Sequence, residues 1–282
     1  LDASGETNYS LVNSSLVAKN YTVESLNLLA DPTIPPGALA VIVPGPTKPL
    51  SEGEMKTLQA YLDNGGSLVY LAEPTPVTEF GDQPDPMVEY LRTAWGIVVG
   101  KDIIIDVNPN NPQIFTVVSN RFGSHVITDR MYTLVLVMPS ARSVRAGAAP
   151  EGITLTELAY TTQNAWGETD LESLKQNQVS ADQNQDLMGP VGLAVAGENS
   201  NTGGRILVVG DSDFAENQAF NQYGNADFIL NGIDWAAEQD NLISLTPRQT
   251  TQRVLVPPQA YTMGVVLFGS VFLLPGIVIA TV

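Results

Sequence analysis

The sequence predicts an α/β fold: a mostly parallel open sheet flanked by helices and followed by a C-terminal transmembrane helix. Three stretches carry that expectation. Residues 206–209 are consecutive β-favouring apolar residues, the mark of a strand buried on both faces. Residues 38–43, a helix opening at Ser51, and residues 67–72 follow one another through short turns, which implies a parallel strand pair with a crossover helix. Residues 261–282 carry no charged side chain, and a hydrocarbon core needs about 20 such residues. A buried core helix is the alternative reading of that last run.

Taken in order, residues 10–20 place Leu11, Val12, Leu16 and Val17 at helical spacing, and residues 21–29 read as a short strand. After the strand at 38–43, Ser51 with Glu54 three positions on forms a capping box. The helix it opens has an apolar face of Met55, Leu58, Tyr61 and Leu62, and Asn64-Gly65-Gly66 stops it. Beyond the strand at 67–72 lie a Pro-rich acidic loop (75–86), a helix (87–95) and a strand-like run (96–106). Residues 108–200 are looser, with β candidates at 114–118, 133–138 and 153–160, a polar stretch at 161–184 and a small apolar strand at 191–197. The strand at 206–209 then ends in Gly210-Asp211-Ser212-Asp213, and a helix runs on from Asn225 with Phe228, Ile229, Ile233 and Trp235 on one face. The domain reading is an α/β domain over 1–245 with a looser insertion at about 108–200, a Pro-containing linker over 246–260 and a span over 261–282.

Composition narrows the function. Lys+Arg number 13 against 30 Asp+Glu, a net charge of −17, which argues against nucleic acid or a purely electrostatic membrane contact as partner. Cysteine is absent, so disulfides, thiolate zinc sites and cysteine nucleophiles are excluded together. Only 15% of residues are charged, while uncharged polar residues, Gly and Pro abound, a composition expected of an extracytoplasmic bacterial domain.

The polar turn at 210–213 follows a buried strand, where open α/β sheets carry their sites. Gly210-Asp211-Ser212 offers a serine, but a serine nucleophile needs a histidine base, and the single histidine, His125, stands in an unrelated context. Asp211 and Asp213 form an Asp-x-Asp pair of the kind that can hold Mg²⁺ beside a phosphate, yet Phe214-Ala215 follow where a phosphatase loop has Gly and Thr or Val. The structural reading is that Asp211 and Ser212 cap the next helix while Asp213 accepts backbone N–H bonds. No dinucleotide or Walker glycine pattern follows a strand. Asn8, Asn13 and Asn20 begin Asn-x-Ser/Thr sequons that matter only in a eukaryotic secretory setting. Trp95 and Trp166 could face a sugar or peptide, though core packing is the commoner role for such rings. No catalytic, cofactor-binding or metal-ligating set is complete.

Two blocks carry a family resemblance. Residues 45–74, GPTKPLSEGEMKTLQAYLDNGGSLVYLAEP, and residues 204–248, with Gly-Asp-Ser-Asp-Phe, Gly224-Asn225, Leu230-Asn231 and Trp235, resemble the ABC-type auxiliary proteins related to the gliding-motility component GldG. The resemblance extends through most of the chain before the apolar span. It implies a class I glutamine-amidotransferase-like, flavodoxin-like α/β domain outside the cytoplasm, anchored by hydrophobic helices in the bacterial inner membrane beside an ABC permease and ATPase. A first strand ahead of Leu1 is also implied. The family's signature makes Asp211, Ser212, Asp213, Asn217, Asn225 and Asn231 candidate loop or interaction residues. The function expected is therefore a non-enzymatic auxiliary subunit that needs no cofactor. A hydrolase using Asp211, Ser212 and Asp213, metal-dependent or serine type, is the alternative.

Overall fold

The computed structural model describes residues 5–80, 83–107, 113–176 and 179–243. Its first half contains α1 (Ser10–Ala18), β1 (Val41–Pro44), α2 (Glu52–Asp63), β2 (Leu68–Leu71), α3 (Pro86–Tyr90), β3 (Ile97–Val99), β4 (Ile103–Asp106), β5 (Val117–Ser119), β6 (Arg121–Phe122) and β7 (Leu136–Met138). The remainder adds β8 (Val144–Ala146), β9 (Ile153–Tyr160), β10 (Ala165–Glu168), α4 (Leu171–Lys175), β11 (Leu187–Met188), β12 (Gly192–Asn199), β13 (Arg205–Val209), α5 (Asn217–Phe220) and α6 (Asn225–Ala236).

The main sheet has six strands in the order β1-β2-β13-β12-β9-β6. Its parallel part is β1, β2 and β13, with Leu68 opposite Val41 on one side and Ile206 on the other. From β13 outward the pairings are antiparallel, so the sheet is mixed and less parallel than its sequence predicts. The reason is local. Residues 200–204 are too short to hold a crossover, and a short turn can only return the chain antiparallel. Residues 108–200 are no appendage either, since β6, β9 and β12 of the main sheet come from them.

The apolar strands do what their sequence demands. In β2 and β13, Leu68, Tyr70, Ile206 and Val208 pack with Met55, Leu58 and Leu62 of α2. The alternate residues Val69, Leu71, Leu207 and Val209 pack on the opposite face with Phe228, Ile229, Ile233 and Trp235 of α6 and with Val12 and Leu16 of α1. A strand alternates its side chains between faces, so a strand covered on both sides must be apolar throughout. At α2 the capping box is present: Ser51 accepts from the Glu54 N–H at 3.3 Å, and the Ser51 N–H donates to Glu54 Oε2 at 2.8 Å. Gly65, at φ +88, ends that helix in a backbone conformation only glycine adopts cheaply.

Elsewhere the tertiary structure departs from the sequence reading. Residues 21–27 pair with no strand, and a turn follows at 28–30. The run at 96–106 divides into β3, which pairs with β8, and β4, which pairs with β10 in a separate three-stranded sheet. Gly100 marks the break: its N–H donates to Ser143 O at 2.8 Å, and a Cβ there would lie 2.2 Å from Ser143 Oγ. The helix at 87–95 continues as a turn of π-helix over Leu91–Trp95 and ends at Gly96. Within the polar stretch, Ala165–Glu168 is a strand with Trp166 in the core.

By internal contacts the chain divides into two units, Leu1–Pro247 and Arg248–Val282. The linker and membrane span expected over 246–282 lie outside the described residues, and no described helix is long and apolar enough to cross a membrane.

Candidate functional site

Parallel strands end side by side, so whatever follows them converges. β2 runs into Ala72-Glu73, and β13 runs into Gly210-Asp211-Ser212-Asp213; β1 ends beside them at Gly45. Such a row of carboxyl ends is where open α/β sheets bind ligands. Here it gathers acids: Glu73, Asp211 and Asp213 each bring a carboxylate oxygen within 4.8 Å of the other two.

Each carboxylate has one oxygen fixed by a neighbour. Glu73 Oε1 accepts the Ser212 N–H at 2.9 Å, Asp211 Oδ1 accepts the Asp213 N–H at 3.0 Å, and Asp213 Oδ2 accepts from Ser140 Oγ at 3.3 Å. Asp211 is fully buried, and its Oδ2 has no hydrogen-bond partner. Of the roles expected from sequence, capping by Asp211 is present, since Asp213 opens the turn that follows, while those of Ser212 and Asp213 are not. Asp211 accepts the first N–H of the 3-10 turn Asp213–Ala215, Asp213 bonds a side chain instead of backbone N–H groups, and Ser212 makes no side-chain cap.

No described ion pair involves these three acids. The nearest buried cation, Arg142, turns its guanidinium to backbone oxygens, donating to Glu73 O at 3.0 Å and to Gly100 O through Nε at 2.6 Å. Burial therefore dominates their titration. It pushes Glu73 up to about 7, helped by the charges of Asp213 and Glu216 and opposed by hydrogen bonds from Ser212. Burial likewise drives Asp211 well above the usual carboxylate range, with Glu73 and Asp213 repelling it further. Asp213 is raised by burial as well.

Ser212 is not poised as a nucleophile with a histidine base. Its Oγ accepts from the Tyr9 hydroxyl at 3.0 Å, and Gly45 is so close that a Cβ there would sit 2.3 Å from that oxygen. His125 packs edge-on against Trp235 at 5.1 Å, and its Nδ1 accepts the Ile127 N–H at 3.3 Å.

The asparagines of the signature are stitches. Asn225, fully buried, accepts the Val137 N–H at 2.9 Å and donates to Val137 O at 2.8 Å, with further contacts to Phe214 O and Ala219 O. Asn231, also buried, donates to Ile127 O at 3.0 Å. Asn217 accepts the Leu11 N–H at 2.9 Å and so caps α1 from across the fold. Trp95 and Trp166 are both buried in the core. Glu73 was not among the residues singled out by sequence. Its signal was an acid just past an all-apolar strand, the same pattern that drew attention to Asp211.

Fold and site together define an α/β domain with a largely buried acidic cluster at the ends of its parallel strands. Residues 4–232 match the family described as an ABC-type uncharacterized transport system, and the chain belongs to that family. No curated protein matches the sequence. Among solved structures, the mmIFT52 N-terminal domain is similar in fold, with a TM-score of 0.57 and 15% identity, covering 81% of this chain and 89% of that one. A protein of Bacteroides uniformis described as ThuA-like has a TM-score of 0.37 and 14% identity, over 67% of this chain and 66% of that one.

Proposed function

We propose that this chain is a non-enzymatic, GldG-like auxiliary subunit of an ABC transporter, anchored in the bacterial inner membrane through residues 261–282, with its α/β domain on the extracytoplasmic side. The observation that carries the reading is family membership over residues 4–232. In this reading the domain works by contact with the permease and ATPase subunits, and the amidotransferase-like ancestry of the fold leaves it without chemistry of its own. Two facts weigh against the serine-hydrolase alternative: Ser212 is hydrogen-bonded to Tyr9, and His125 is packed on Trp235. Affinity purification of the full-length chain from detergent-solubilised membranes is the test. Recovery of an ABC permease and ATPase is expected; recovery of neither would overturn the reading.

A further inference from the structure

We propose that Glu73, Asp211 and Asp213 bind one hard divalent cation, of the Ca²⁺ and Mg²⁺ class, at the ends of β2 and β13. The ligand set is all oxygen, the donor chemistry such ions select over softer metals. A single ion with metal–oxygen distances of about 2.0–2.6 Å holds its ligand oxygens at most about 4–5 Å apart. The three carboxylates meet that limit.

A cluster of acids is common without an ion, but here a second feature points to a ligand. Asp211 is at 0% exposure, and its Oδ2 lies in the protein with no hydrogen-bond donor. A buried, unpartnered carboxylate oxygen is costly unless a proton or a cation meets it, and three acids in mutual reach favour one shared cation. The adjacent cation does not serve, because Arg142 is committed to Glu73 O and Gly100 O. In each of the three acids one oxygen is already oriented by a neighbour, so the set is held in place before any ion arrives. Outer hydrogen bonds of this kind are what aim carboxylate ligands at a metal. Asp213 is only partly buried and forms the solvent side of the cluster. The ion would tie the end of β2 to the loop after β13, which leads into α5, whose Asn217 caps α1. Nothing in this reading requires the cation to take part in a reaction, and it goes beyond the proposed transporter role.

The test uses the full-length chain in detergent, stripped with chelator and then titrated separately with Ca²⁺, Mg²⁺ and Mn²⁺ by calorimetry and thermal melting. One ion per chain is expected, with a Kd of about 1 mM or tighter for at least one of the three and a matching rise in Tm. Asp211→Asn is expected to weaken binding by roughly 10-fold or more while its metal-free form stays folded by circular dichroism. Asp213→Asn, at a partly exposed position, is the control should the buried substitution fail to fold, and it too is expected to weaken binding. Absence of heat and of a Tm shift for all three ions up to about 10 mM, far above the weakest protein sites, would overturn the proposal. Binding retained at wild-type affinity in a folded variant of either residue would overturn it equally.

Discussion

Glu73 and Ser212 stand 139 positions apart in sequence, yet Glu73 Oε1 accepts the Ser212 N–H at 2.9 Å. The bond joins the residues that follow two neighbouring parallel strands, and it holds the loop after β13 against the end of β2. It also fixes an acid in a place that water barely reaches, with Asp211, Asp213 and Glu216 as its acidic neighbours, the Tyr9 hydroxyl nearby, and Arg142 turned to its backbone oxygen.

The first prediction follows from that burial. In chelator, Glu73 keeps its proton in the folded protein up to about 7, against an ordinary value of 4.5. Below 4.5 both folded and unfolded forms are protonated there; between 4.5 and about 7 only the folded form is. At this residue the unfolded chain binds fewer protons across that window, so its contribution to stability falls as pH rises through it, by about 3 kcal/mol. Urea unfolding from pH 4 upward should show the decline. Glu73→Gln keeps an acceptor for the Ser212 N–H and should make the decline shallower; an unchanged slope would refute the assignment.

Asn225 sets the second. Its side chain pairs both backbone groups of Val137 and reaches Phe214 O and Ala219 O, all within the core. Asn225→Ala leaves those groups without partners, at a cost of about 2–4 kcal/mol. A urea midpoint within error of wild type would contradict this account.

Lys19 and Asp234 form a buried ion pair between the end of α1 and α6, and Asp234 also accepts from the Tyr21 hydroxyl at 2.9 Å. Lys19→Met strands the aspartate and should cost about 3–5 kcal/mol, whereas Lys19→Met with Asp234→Leu should recover much of the loss. A double-mutant cycle that proved additive would show the pair to be uncoupled.

Gly45 turns the chain out of β1 at φ +55, with Ser212 Oγ in the space a side chain would need. Gly45→Ala should destabilise the domain by about 1–3 kcal/mol, from strained backbone and from displacement of Ser212. In chelated protein the same substitution should disturb the Tyr9–Ser212 bond, read as a shift of the Tyr9 ring resonances by NMR.

Local and periodic patterns alone determined the α/β class, the capping box at Ser51, the helix from Asn225 and the doubly covered strand at 206–209, because each is a statement about neighbours in sequence. The three asparagines were legible as a motif and opaque as a role. Their partners, Leu11, Val137 and Ile127, are remote in the chain. The pairing of β9 with β12 and β6, the division of 96–106 between two sheets, and the unpaired run at 21–27 depend on which strand lies alongside, and backbone propensity does not encode that. Glu73 joined Asp211 and Asp213 only when β2 and β13 paired in parallel, since hydrogen-bonded strands lie about 5 Å apart whatever the length of chain between them.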